Sequence, residues 1–327
     1  MRITRKSLAA ACFVSLSATS AFAADECEGK QFVFFPGGPE GGTFASVVYN
    51  GAVMAAEHTG CDVQYVWSDW NSEKMVRQFS EAVARRPDGI AVMGHPGESA
   101  LGPLIEQARE VGIIVTTQNV DLPTYEAKYV AEGFGYVGSK NYTSGRNLAS
   151  GMVQGCGLEA GDKVFVWGMQ SMEQRGLRTT GSIEVLEEAG IEVDYLEINP
   201  NISKDASQGI PVFAAYAAAN PDMKGVITDH GALTALLPAY LNAAGKKPGE
   251  ICSAGFDLSA ATAQGIEDEM ITMVLDQQPF LQGYLPIIQL FLTSKYGFAG
   301  MNIDTGAAMI TQSNVGPVKA LAAEAIR

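Results

Sequence analysis

Positive charge is scarce in this sequence. Its 327 residues hold 22 Lys and Arg against 36 Asp and Glu, a formal net charge of −14, and such a balance repels nucleic acid and anionic lipid headgroups. Histidine is scarcer still, and His58, His95 and His230 have no metal-ligand spacing. With neither a His-Glu-x-x-His nor a Cys-x-x-Cys pair, a zinc centre is not expected. No Gly-x-Ser-x-Gly elbow presents a serine nucleophile. The run Gly37-Gly38-Pro39-Glu40-Gly41-Gly42 lacks both the Lys-Ser/Thr pair of a P-loop and dinucleotide-fingerprint spacing, and Glu40 carries the wrong charge for a phosphate. Close backbone approach to a ligand is its expected role. Beyond residue 23 Asp276, Lys295 and the Gly and Pro residues interrupt every apolar stretch before it reaches the ~18 residues of a membrane span.

What is present begins with a leader. Arg2, Arg5 and Lys6 precede an apolar stretch, 8–22, that closes on Ala21-Phe22-Ala23, the pattern of a secretory signal peptide, 1–23, cleaved before Ala24. Its removal takes away three positive charges and no acidic residue, moving the net charge from −14 to −17. The expected compartment is the periplasm, where disulfides persist. Cys12 leaves with the leader. Of the remaining Cys27, Cys61, Cys156 and Cys252, the first two each stand just before a strand expected to be a parallel neighbour of the other, which favours Cys27 with Cys61. Cys156 and Cys252 then pair by elimination or stay as buried thiols.

From Gln31 onward, short β-branched or aromatic runs alternate with amphipathic stretches, the signature of parallel sheets covered by helices. Expected strands are 32–35, 63–67, 89–93 and 113–117, then 163–167, 193–198, 225–228 and 251–255. Helical patterns fall at 46–57, 73–85, 100–111, 144–154, 180–189, 206–219 and 232–243, and Gly60, Gly112, Gly190 and Gly245 each follow a last periodic turn. The two sets of four strands look alike. Gly89-Ile90-Ala91-Val92-Met93-Gly94-His95 leads into a helix ending near Gly112, as Gly225-Val226-Ile227-Thr228-Asp229-His230-Gly231 leads into one ending near Gly245. The expected fold is α/β, with two similar doubly wound parallel-sheet domains and a cleft between them.

Ligands of such sheets bind beyond the C-terminal ends of the strands. The residues there are Phe44, Asp69, Trp70, His95, Asn119, Gln170, Asp229, His230 and Asp257. Planar polar groups that reach hydroxyls, joined by aromatic rings that cover C–H faces, suit a sugar. The same residue types also cap helices and close turns, Trp70 has the alternative of a lid over the sheet edge, and His95 and His230, read as neutral hydrogen-bond partners in the cleft, have the alternative of satisfied structural histidines. Asp69 and Asp257 as a glycosidase acid/base pair would need a fixed carboxylate separation, which their spacing does not supply.

On these residues the chain resembles the ribose- and galactose-binding class of periplasmic binding proteins of sugar ABC importers. Asp276-Gln277-Gln278-Pro279-Phe280-Leu281-Gln282-Gly283-Tyr284 is similar to a segment of one branch of that class, and Gly255-Phe256-Asp257 to its sugar-binding strand end. The resemblance implies that Phe44 packs on the sugar ring and that Arg178, with Gly181 three residues on, reaches the ligand from the second domain. It implies contacts from Asp257 and Gln277, places Asn119 where the class has a binding aspartate, and His230 where it has a binding asparagine. His95 likewise stands for an asparagine, and Asn119-Val120 replaces an Asp-Arg clamp, which argues against ribose itself.

The resemblance further implies three hinge strands, with crossings near Ser139, Gln277 and Asp304. One lobe then comprises 24–138 plus 278–304, the other 139–277 plus 305–327. Expected partners are a monosaccharide, polyol or amino sugar and an ABC permease of the inner membrane, with no cofactor, no nucleic acid and a monomeric chain. A periplasmic sensor and an extracellular sugar-modifying enzyme are the competing readings. A sugar-responsive repressor would need an N-terminal helix-turn-helix and a basic surface.

Overall fold

The computed structural model describes residues 26–327, so the expected signal peptide lies outside the described residues. The chain begins with β1 (Gln31–Phe34), α1 (Thr43–Thr59), β2 (Asp62–Tyr65), α2 (Ser72–Arg85), β3 (Gly89–Met93), α3 (Glu98–Glu110), β4 (Ile114–Gln118), α4 (Pro123–Tyr129) and β5 (Tyr136–Gly138). There follow α5 (Asn141–Cys156), β6 (Lys163–Gly168), α6 (Glu173–Glu188), β7 (Glu192–Glu197), α7 (Pro200–Lys204), α8 (Gly209–Ala219), β8 (Met223–Thr228), α9 (Gly231–Ala235) and α10 (Leu237–Ala243). The chain closes with β9 (Cys252–Phe256), α11 (Ala260–Glu267), β10 (Met273–Asp276), α12 (Pro279–Tyr296), β11 (Asn302–Asp304), β12 (Ala308–Thr311) and α13 (Gly316–Ala323).

Two six-stranded sheets result, in the orders β2-β1-β3-β4-β5-β11 and β7-β6-β8-β9-β10-β12. Pairing is parallel throughout, save that β12 runs antiparallel to β10. Central β3 is buried along its whole length, as a parallel strand covered on both faces must be. In the second sheet Val164 and Val166 face one hydrophobic cluster, Phe165 and Trp167 the other, the two-residue alternation of a strand. Around the first sheet, α2 turns Met75, Phe79 and Ala82 inward and starts at Asn71, whose side chain accepts from Lys74 N–H at 2.7 Å.

The chain passes from one sheet to the other three times: between β5 and α5, between β10 and α12, and between β11 and β12. In consequence α12, from late in the sequence, packs on α1. A Cβ on Gly51 would stand 2.0 Å from Phe280 O, and one on Gly283 1.8 Å from Val48 O. The second lobe repeats the device between α5 and α6, where a Cβ on Gly145 would stand 1.9 Å from Arg178 O. Disulfides join Cys27 to Cys61 and Cys156 to Cys252.

Several element bounds differ from the sequence reading. The helix expected at 180–189 starts seven residues earlier, at Glu173, because Gly176 and Thr179 are buried against the loop and sheet rather than left as a linker. The pattern at 232–243 divides into α9 and α10 around Leu236, with Pro238, which has no N–H to continue a helix, in the first turn of α10. Strands β5, β10, β11 and β12, of three or four residues each, were not among the eight expected. Among the described residues no helix is long and apolar enough to cross a membrane.

Candidate functional site

The C-terminal ends of both sheets face one another, and the loops that leave them build a slot. His95 follows β3 by two residues and His230 follows β8 by two. Since β3 lies between β1 and β4 as β8 lies between β6 and β9, the two imidazoles hold equivalent places in the two lobes. The lobes are in contact at the rim, where a Cβ on Gly97 would fall 2.1 Å from Glu173 Oε2 of the opposite lobe.

The first lobe supplies an aromatic corner. Trp70 lies with its ring centroid 6.0 Å from that of Phe44 and 5.3 Å from that of His95. Its backbone is left-handed (φ 56°), a conformation costly for a bulky residue. The glycine-rich loop explains how the indole is held. A Cβ on Gly38 would meet the Trp70 ring at 2.7 Å, and one on Gly37 would meet Met93 Sδ at 2.3 Å. Those glycines therefore make room for Trp70 and Met93. Asp69 is not gathered with the others: its side chain is 54% exposed and bonded to Lys74 at 2.5 Å. Asn119, left-handed at φ 64° and buried, gives its Nδ2 to Gln282 Oε1 at 2.9 Å, and its carbonyl accepts from the Tyr136 hydroxyl.

The second lobe supplies charge. Arg178 is 3% exposed, its guanidinium carbon 4.2 Å from the centre of the Phe256 ring and its Nη2 donating to Asp229 O. Arg175, one turn earlier on the same face of α6, donates to Asp229 O at 2.8 Å and pairs with Asp229 Oδ2 at 3.4 Å. Burial alone would raise the Asp229 carboxyl, but Arg175, Arg178, the Thr179 hydroxyl and Met169 N–H outweigh it and hold it below the usual range. Asp257, at φ 78°, accepts from Gln277 Nε2 at 2.6 Å. Burial pushes its carboxyl up, against the pull of Arg178 and Gln277.

Both cleft histidines stay neutral. Burial, reinforced by Arg175, Arg178 and His230, holds His95 down to about 3. Burial, then Arg175, holds His230 down to about 4, with Asp229 working the other way. His230 Nδ1 accepts from Ala232 N–H at 3.3 Å, which leaves the proton on Nε2. Among the described residues, His95 Nδ1 and Arg178 Nε are buried and have no hydrogen-bond partner. Among the described residues no group of three or more His, Cys, Asp or Glu could hold a metal ion.

The structure thus gathers Phe44, Trp70, His95, Arg178, His230, Asp257 and Gln277 about the slot, seats Asn119 at its hinge side and leaves Asp69 in solvent. Sequence reasoning missed Arg175 and the pairing role of Asp229. The available signal was spacing, since residues three apart share a helix face. Arg175 thus brings a second guanidinium to the slot, its charge taken up by Asp229.

Two lobes of one construction, closing a polar and aromatic slot across a three-strand hinge, define a bilobal solute-binding protein. The chain belongs to the periplasmic binding protein domain family, whose model matches residues 32–291. It is 28% identical over 272 residues, 79% of this chain and 65% of the relative, to a xylose/arabinose-binding protein of Sulfolobus acidocaldarius. It is 24% identical over 208 residues, 64% of each, to a D-apiose import binding protein of Actinobacillus succinogenes. The chain thus spans just under two thirds of the length of these curated relatives. A carbohydrate transporter of Acidothermus cellulolyticus, solved with myo-inositol, shares the fold with a TM-score of 0.76 at 24% identity, over 91% of this chain and 99% of the other. Members of the family are binding proteins of the periplasm or cell exterior rather than enzymes.

Proposed function

We propose that this chain is the substrate-binding subunit of an ABC importer and that it captures a neutral monosaccharide or polyol by closure of the lobes 24–138 plus 278–304 and 139–277 plus 305–327. The observation that carries the reading is the charge balance of the slot. Arg175 and Arg178 are matched by Asp229 and Asp257, and both imidazoles are neutral. A ligand with a net charge would upset that balance in a desolvated space, whereas hydroxyls can donate to His95 Nδ1 and accept from Arg178 Nε. Phe44 and Trp70 offer apolar faces to the C–H side of a sugar ring. The names of the two curated relatives, for xylose/arabinose and for D-apiose, support a pentose as the first ligand to try.

On this reading the chain works as a monomer in the periplasm, returns its ligand unchanged and hands it to a membrane permease. The test is thermal unfolding of the mature protein, freed of co-purified ligand by unfolding and refolding, against D-xylose, L-arabinose, D-apiose, myo-inositol, hexoses and amino sugars. A ligand at 100 times its dissociation constant should add about 2.7 kcal/mol. A shift with one or a few neutral sugars is expected. A shift with sugar acids or phosphates alone would overturn the neutral-ligand reading, and consumption of the sugar would replace it with an enzyme.

A further inference from the structure

The two lobes are tied by more than their three crossings. After α13 the chain reverses at Ala325, in the left-handed conformation (φ 53°), and Ile326 and Arg327 fold back to donate their N–H groups to Leu321 O at 3.0 and 3.2 Å. The reversal makes three long-range hydrogen bonds, to two partners. Asn50 Nδ2, on α1 of the first lobe, donates to Ala325 O at 3.2 Å. The guanidinium of Arg327 donates through Nε and Nη2 to Asp276 Oδ2 at 3.0 and 2.8 Å.

Asp276 is the last residue of β10, where the chain leaves the second sheet, and its side chain is fully buried. Among the described residues Arg327 is the one cation paired with it. Its other oxygen accepts from Gln278 N–H at 2.8 Å. Between them, Gln277 donates to Asp257 in the slot and its Oε1 accepts from Ser139 Oγ, on the first crossing, at 3.1 Å. Gln278 in turn donates to Thr305 O, on the third crossing, at 2.9 Å. One carboxylate therefore stands behind all three crossings. At that depth an ionised carboxylate without a partner is strongly unfavourable, so removal of the cation would be felt where the chain is bonded to it.

We propose that Arg327 is a positioning residue for the binding slot: through Asp276 it fixes the 276–278 crossing that carries Gln277 to Asp257, while the Asn50–Ala325 bond adds a further link between the lobes. The proposal rests on the reading of the slot as a ligand cleft, but Arg327 itself stays outside the slot. Its effect is on the geometry and firmness of closure.

The test uses the full mature chain with Arg327→Ala, Arg327→Lys and the double variant Arg327→Ala with Asp276→Asn. Amide hydrogen exchange is read without ligand at Gln278 and Thr305, with β3 and β8 as internal references, and dissociation is read with D-xylose as the probe. Arg327→Ala is expected to speed exchange at those two amides by about tenfold, with the reference strands unchanged, and to speed D-xylose release. Arg327→Lys should retain most of the protection, and the double variant should regain it, since Asn at 276 needs no counter-charge. Unchanged exchange at Gln278 and Thr305, or the same acceleration throughout both lobes, would overturn the proposal. Failure of D-xylose to bind the parent protein would count against a pentose ligand alone, and the ligand-free exchange would still decide the role of Arg327.

Discussion

The guanidinium of Arg178 has exchanged water for an aromatic face and the carbonyl of Asp229, with Nε unpartnered among the described residues. Asp69 is exposed and pairs with Lys74. Two charges that look equally promising in the sequence therefore differ in what their loss should do. Truncation of a buried, hydrogen-bonded charge at a binding site costs about 2–5 kcal/mol of affinity, whereas an exposed ion pair contributes little. Arg178→Ala should weaken binding of whichever sugar stabilises the protein by at least tenfold, and Asp69→Ala should leave it within twofold, both read by calorimetric titration. Equal losses from the two variants would move the site toward the exposed loop.

At the scale of elements, two helix pairs depend on glycine for close approach. A Cβ on Gly283 of α12 would overlap Val48 O of α1, and neither backbone can yield without moving a core helix. Gly283→Ala should cost at least the ~1–3 kcal/mol of an overpacked contact, seen as a lower urea midpoint. Gly151, inside α5, is the internal control, since a Cβ there meets only methionine side-chain atoms at 3.4 Å. Gly151→Ala should hold or raise the midpoint, because Ala is the better helix former by about 1 kcal/mol. The same distinction marks what was legible in the sequence. Strands such as β3, a continuous apolar run, and β8 and β9, short buried runs bounded by turn residues, announce themselves, and the residues that follow the three lead to His95, His230 and Asp257. The short β11 and β12 carry no such signal, because they span three and four residues and their burial is incomplete. Arg175 was hidden for a related reason: its place in the slot comes from where α6 starts, and that start is set by packing rather than by local pattern.

At the scale of the whole molecule, groups of opposite lobes share one electrostatic neighbourhood. His95 from the first lobe faces Arg175 and Arg178 of α6 and His230 of the second, with Asp229 beside His230 and Asp257 opposing the arginines. The closed form holds both imidazoles below the ordinary histidine value of about 6.5. Protons are thus bound more readily by a state in which these residues reach water, so the closed form is fully favoured above about pH 6.5 and loses ground as pH falls toward 4. The loss is at most about 1.4 kcal/mol per pH unit for each imidazole. Ligand affinity measured from pH 7.5 to 4.5 should decline below pH 6.5, and a His95→Asn, His230→Asn double variant should flatten the profile. A wild-type profile flat to pH 4.5 would mean that the imidazoles keep their water.

The late arrival of α12 and β11 in the first lobe also sets an order of assembly. The face of α1 that holds Gly51 stays uncovered until residues 279–296 exist, and β5 lacks its outer neighbour until residues 302–304 follow. Contacts so distant along the chain form slowly, because a long loop must close before they are rewarded. Neither lobe is finished in sequence before the other has begun, so the first lobe's outermost strand and the cover of α1 are among the last parts of the chain to be made.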